Sequence, residues 1–131
     1  MRTITITTTA RQQFADITEQ VKQAVSSFNI SEGIALVYTP HTTAGITINE
    51  NADPDVLHDL GLAYKKFFPE LEEYRHIENN SDAHLKSSLT GCSVSCIISG
   101  GKPVLGVWQN IYFCEFDGPR TRKIYVQAIG K

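Results

Sequence analysis

Three features of the sequence predict an α+β fold, with antiparallel β-sheet layers carrying two or three helices. Apolar residues alternate with polar ones near the start, the period of a half-buried strand, and from Cys92 onward strand-like runs are separated by turns. Two stretches between them switch to a helical period, and a third carries helix-boundary signals. Glycine-rich turns at Gly100-Gly101 and Gly118-Pro119 punctuate the final strands, which suits an antiparallel meander.

Ile4 and Ile6 alternate with Thr3, Thr5 and Thr7 in a β-branched first strand. Over residues 17–29, Val21, Ala24, Val25 and Phe28 recur at i, i+3, i+4 and i+7, one stripe of an amphipathic helix. Asp16 or Thr18 caps it, and Asp16 with Glu19 has capping-box spacing. Gly33 releases the chain into Ile34-Ala35-Leu36-Val37-Tyr38, a buried strand that ends at Pro40. Ile46-Thr47-Ile48-Asn49 forms the next strand. Asp53-Pro54-Asp55 then opens a helix, with Asp53 as cap and proline at the first helical position. Val56, Leu57, Leu60, Tyr64 and Phe67 supply its buried stripe, and Pro69 ends it. A short third helix starts near Asn80 or Ser81 and stops at Gly91, a left-handed cap. Strands follow over 93–99, 104–116 and 123–129. The 104–116 strand is aromatic-rich on both faces, so a second layer or another subunit covers each.

Composition narrows the class. At 131 residues, with 41% hydrophobic and 20% charged residues, the chain reads as a single globular domain over 1–131 that needs no disulfide or structural metal. A net charge of −2 and the absence of a Lys/Arg run argue against nucleic acid and anionic membrane as partners. No apolar run approaches the ~20 residues of a membrane span. Three cysteines without an export signal point to the cytoplasm.

The chemistry is carried by polar stretches. His41 opens His41-Thr42-Thr43-Ala44-Gly45, while His76 and His84 flank an acidic and amide-rich run. Three imidazoles beside carboxylates and hydroxyls suit proton transfer or a divalent metal such as zinc, with His41, His76 and His84 as ligands. Their sequence spacing matches no local metal motif. His58, mid-helix and without a polar motif around it, reads as a surface histidine. Phosphate needs donors, and Thr42, Thr43, Ser87, Ser88, Arg120 and Arg122 supply hydroxyls and guanidinium groups. Ser87 and Ser88 share a helical face with His84. Glu115, a charge inside an aromatic strand, requires a partner or a raised pKa. Cys92, Cys96 and Cys114 show no paired-cysteine motif and read as small buried apolar residues.

Taken in order along the chain, His41-Thr42-Thr43-Ala44-Gly45 with Asn49-Glu50, Asp82 to Leu89, Gly106-Val107-Trp108-Gln109 and Cys114 to Arg120 resemble the YjbQ family, also labelled secondary thiamine-phosphate synthase. The resemblance implies a small α+β fold, a homotrimer, and a polar pocket near subunit contacts with a metal at the histidines in some members. It implies ligand contacts at Asn49 and Gln109 and a catalytic role for His41 and His84. Val107 departs from the family's threonine in the Gly-Thr-Trp-Gln run. Two reactions follow as expectations. One is transfer of a pyrimidine from its pyrophosphate to a thiazole phosphate. The other is metal-assisted hydrolysis of a small phosphorylated metabolite, with Glu50 accepting the proton. A non-catalytic metabolite-binding module is the competing class.

Overall fold

The computed structural model describes all 131 residues. In chain order the elements are β1 (Arg2–Thr7), β2 (Gln13–Asp16), α1 (Thr18–Ser26), β3 (Glu32–Tyr38), β4 (Ala44–Glu50), α2 (Pro54–Phe67), α3 (Ser81–Thr90), β5 (Ser93–Ser99), β6 (Lys102–Pro103), β7 (Gln109–Glu115) and β8 (Thr121–Gly130). They form two antiparallel sheets, one ordered β1-β8-β3-β5-β6 and the other β2-β7-β4.

Alternation decides how the sheets face each other. On β8, Arg122, Ile124, Val126 and Ala128 are buried while Thr121, Lys123 and Gln127 are exposed. Ala35 and Val37 on β3 and Cys96 and Ile98 on β5 join the same inner face. Ile46, Ile111 and Phe113 from the three-stranded sheet meet them, and α1 inserts Val21, Ala24 and Val25 into the same cluster. The opposite face of β7 buries Cys114 against Ala83 of α3, with Phe116 just beyond the strand; Tyr64 of α2 packs on this cluster. The order of layers is therefore five-stranded sheet, three-stranded sheet, then α2 and α3, with α1 packed into the core that the two sheets share. As expected, β7 is buried on both sides.

Several expectations are corrected. The last strands make no simple meander. β5 and β6 form a hairpin, β7 crosses to the second sheet, and β8 returns to lie between β1 and β3. The 104–116 strand is only Gln109–Glu115, because Gly106 to Gln109 forms a turn in which Gln109 N–H donates to Gly106 O and Gln109 Oε1 accepts from Gly106 N–H. Trp108 lies in that turn and is exposed. No residue of α2 is fully buried, and Phe67 is 67% exposed, because the helix lies on the outside of the second sheet. Its start is as expected: Asp53 accepts from Asp55 N–H, with Pro54 first in the helix. Asp16 holds the α1 entrance by accepting both the N–H and the hydroxyl of Thr18, without a reciprocal capping box. Gly91 has φ 92° but ψ 155°, an extended exit open to glycine rather than a left-handed helical cap. β2 has no counterpart in the sequence reading. Cys96 and Cys114 are buried as expected, whereas Cys92 precedes β5 and is exposed.

Candidate functional site

The site is built where β3 leaves β8. Their pairing stops at Tyr38 and Tyr125, so the backbone of Lys123 lacks a strand partner on that side. Side chains of the β3–β4 connection replace it. Lys123 N–H donates to His41 Nε2 at 2.9 Å, and Thr39 Oγ1 donates to Lys123 O at 3.3 Å. A neutral imidazole has one acceptor and one donor nitrogen. With the Nε2 lone pair engaged, the proton sits on Nδ1, and His41 is a hydrogen-bond donor. Burial and then the positive charge of Arg122 push its pKa below the ordinary histidine value, which favours this neutral form.

Beneath His41 an ion pair spans the two sheets. Glu115 at the end of β7 is fully buried, and Arg122 of β8 is 4% exposed. Arg122 Nε donates to Glu115 Oε1 at 2.9 Å, and Nη2 donates to both Glu115 Oε2 and Thr43 Oγ1. Thr8 Oγ1 and Asp117 N–H also donate to the carboxylate. Burial works against the charge on Glu115, but these donors outweigh it and hold its pKa below the usual range. The partner that a buried Glu115 requires is therefore Arg122. Two of the five guanidinium hydrogens remain, on Nη1, and Arg122 lines the cleft above.

That cleft, about 270 Å³, is lined by polar and charged residues apart from Pro40. Arg122 lies on one wall with Thr42 and His41. Arg120 lies nearby, donating through Nε to Asp117 O at 2.7 Å and through Nη2 to Asp117 Oδ2 at 2.9 Å. Asn80, at the start of α3, donates through Nδ2 to the same carboxylate at 2.8 Å. Its Oδ1 is the one buried side-chain polar atom of the chain without a partner. α3 holds its place through Asp82, which takes a bidentate pair of bonds from Arg11 and a third from the buried Lys86 Nζ. Burial opposes that carboxylate's charge too, yet Arg11 and Lys86 bring its pKa down to about 2.

The predicted site residues fall into two groups. His41, His84, Thr42, Thr43 and Arg120 converge on this cleft. His76 reaches His84, their rings meeting edge to face with centroids 5.4 Å apart, while His76 Nε2 lies 3.8 Å from Glu78. Ser87 is close, but its hydroxyl donates to Ala44 O at 2.6 Å, a structural bond between α3 and β4. Asn49, Glu50 and Gln109 are elsewhere in the chain. β4 pairs Ala44 with Glu115 at the cleft end and Glu50 with Gln109 at the other. Six residues of strand place these ends roughly 20 Å apart. There Glu50 accepts from Ala52 N–H and Asp53 N–H, and Asn49 Oδ1 accepts from Glu50 N–H. Within one chain Glu50 is too far away to act as a base at His84.

The expected three-histidine metal centre is not assembled within the chain. No group of three His, Cys, Asp or Glu side chains is placed to hold an ion. The reason is local: the acceptor nitrogen of His41 is held by Lys123, and its other nitrogen carries the proton. His58 is a surface residue, as expected, with Nδ1 3.1 Å from Asp59. Sequence reasoning missed Asn80, Asp117 and the Arg11–Asp82–Lys86 network.

Fold and site together define a two-sheet α+β domain with a polar histidine–arginine cleft at one end of the sandwich. Residues 2–131 match the family model described as UPF0047 protein YjbQ-like, and the chain belongs to that family. YugU of Bacillus subtilis is 50% identical over 131 residues, covering 99% of each chain. A UPF0047 protein of Methanocaldococcus jannaschii is 54% identical over 125 residues, covering 95% of this chain and 91% of the relative. The crystal structure of an uncharacterised YjbQ/UPF0047 protein from Clostridium acetobutylicum superposes with a TM-score of 0.95 at 53% identity, covering 98% of this chain and 100% of that one. A YbjQ-like protein of unknown function from Sulfolobus solfataricus gives 0.94 at 34% identity, with 99% and 96% covered.

Proposed function

We propose that the cleft binds the phosphate group of a small metabolite and that the protein is an enzyme acting on it. One observation carries this reading: Arg122, Arg120, His41 and Thr42 line one cavity whose walls are polar or charged apart from Pro40. Arg122 Nη1 and the His41 Nδ1–H offer donors whose other bonds are already fixed, so little ordering is lost when an anion arrives. His84, beside them, is the residue for proton transfer. Transfer of a pyrimidine from its pyrophosphate to a thiazole phosphate, releasing pyrophosphate, is the reaction we assign first. It needs guanidinium donors for charge on the leaving group, and the cleft has two. A regulatory module would bind the same anion without turnover.

The test is titration with inorganic phosphate by calorimetry, using Arg120→Gln, an exposed position whose loss leaves the core intact. Losing a charge-assisted donor removes about 1.5–3 kcal/mol, roughly a tenfold to hundredfold weaker affinity. Equal affinity in the variant would sink the reading.

A second reading, favoured by the contact between His76 and His84, keeps a divalent ion of the zinc type. Since one chain offers no three-residue set, such an ion takes its remaining ligands from water or a second copy. Hydrolysis of the phosphorylated metabolite belongs to this reading, and metal analysis of the freshly purified protein tests it. We also propose the homotrimer. Ile34, Leu36, Ile97 and Ile129 are 44–70% exposed on the outer face of the five-stranded sheet, an apolar surface suited to another subunit. No helix is long and apolar enough to cross a membrane.

A further inference from the structure

The outer face of the five-stranded sheet continues past Ile34 and Leu36 to Tyr38, the last outward residue of β3. There it meets a cavity of about 590 Å³ walled in part by Tyr38, Pro40, His41, His84 and Cys92. No Lys, Arg, Asp or Glu lines this cavity, and it joins the phosphate cleft through the two histidines. An uncharged hollow with an aromatic wall suits an aromatic side chain. The outward residues of β8 continue the same face, and among them Lys123 pairs with no acid.

The opposite end of the sandwich has the complementary character. Val104, Val107 and Trp108 are 51–78% exposed, although each is a large apolar residue. The two hydrogen bonds between Gly106 and Gln109 fix the turn that carries Val107 and Trp108, so little ordering is lost when it docks. Glu50 and Asp53 lie beside Trp108, and with Asp55 they make an acidic rim that pairs with no Lys or Arg. A surface that meets only itself closes a dimer. Subunits around a three-fold axis each need two different surfaces that fit one another, and these two match in charge and in shape.

We infer that copies of the chain join head to tail, Trp108 of one copy filling the uncharged cavity of the next and carrying the partner's Glu50 to the edge of that copy's cleft, opposite Lys123. This rests on the trimer proposed above and names both surfaces of its interface. It also gives Glu50 a place in the site. Too distant from His84 within one chain, it stands near the His84 of the next copy, so the cleft is incomplete in a lone subunit.

Trp108 is the chain's one tryptophan, so its fluorescence reports the contact directly. Light scattering at micromolar concentration gives the mass, and quenching by acrylamide gives the exposure of Trp108. Wild type is expected to be a trimer with a shielded Trp108. Leu36→Arg, on the receiving face, is expected to be a folded monomer by circular dichroism with Trp108 open to the quencher. Trp108→Ala, which removes the anchor from an exposed turn, should weaken association by about thirtyfold or more and leave a folded monomer. Glu50→Lys should disperse the trimer, and adding Lys123→Glu should restore it. A wild-type trimer whose Trp108 is as open as in the monomer overturns the head-to-tail contact and leaves the trimer standing. So does a Trp108→Ala or Leu36→Arg variant that stays trimeric, or a Glu50→Lys variant that Lys123→Glu does not rescue. A monomeric wild type removes both readings together.

Discussion

Replacing Glu115 with alanine tests the junction between the two sheets. The carboxylate is fully buried and receives Arg122 through two nitrogens, together with the Thr8 hydroxyl and the Asp117 N–H. Removing it leaves a guanidinium at 4% exposure with only the Thr43 hydroxyl as a partner. Breaking a buried pair in this one-sided way costs about 3–5 kcal/mol. A domain of this size has about 5–15 kcal/mol in total. At roughly 3–5 °C per kcal/mol, Tm should fall by about 9–25 °C. Thermal and urea unfolding followed by circular dichroism at pH 7 measure it. The double variant Glu115→Gln/Arg122→Met, which removes both charges, should be less destabilised than the sum of its single variants by about 0.5–3 kcal/mol. A loss below about 1 kcal/mol in Glu115→Ala, or strict additivity in the double variant, would show that the pair is not the strut described here. Because folding lowers the pKa of Glu115, the pair's stabilisation is fully present above the unfolded carboxylate value. It is lost as pH falls through the folded one.

Two further outcomes follow from the histidines. His41 has a lowered pKa, so protonation favours the unfolded chain: its contribution to stability is present above the unfolded value of about 6.5 and declines as pH drops below it. In His41→Gln the wild-type difference in unfolding free energy between pH 7.5 and pH 5.5 should shrink, and an unchanged difference would contradict the neutral assignment. If the reaction proposed above is the protein's own, His84→Ala should abolish it with Tm nearly intact, whereas His58→Ala, 70% exposed in its side chain, should leave it unchanged. The reverse pattern would show that the histidines have been divided wrongly.

Much of this was legible where local rules act alone. Asp53-Pro54-Asp55 marks the start of α2, alternation locates β1, and the flanking turn signals place β5 and β8, each within one or two residues. The meander failed because the path of β8 depends on a partner 120 residues away in β1, which no turn signal encodes. α2 was over-buried in the reading since periodicity shows which side faces inward but not how deeply. At the site, alternation could have found Arg122: it occupies the inner-facing position two before Ile124, just as Glu115 follows Phe113 on β7. Two opposite charges on inward positions of two strands call for each other. Nothing in the sequence shows that Lys123 would engage the Nε2 atom of His41, because that bond depends on where two strands part.

The central place of β8 has a consequence for how the protein is made. β1 is the first strand to leave the ribosome and β8 the last, yet β8 supplies the hydrogen-bonding partner of β1 and one side of β3. Until β8 emerges, therefore, one edge of β1 and one edge of β3 stay unpaired. Native closure waits until residues 121–130 emerge, and at about 5–20 residues per second the nascent chain spends several seconds in that open state. Pairing at such long sequence separation is intrinsically slow as well. Until β8 emerges, the alternating threonines of β1, Thr3, Thr5 and Thr7, keep the waiting strand polar on one side.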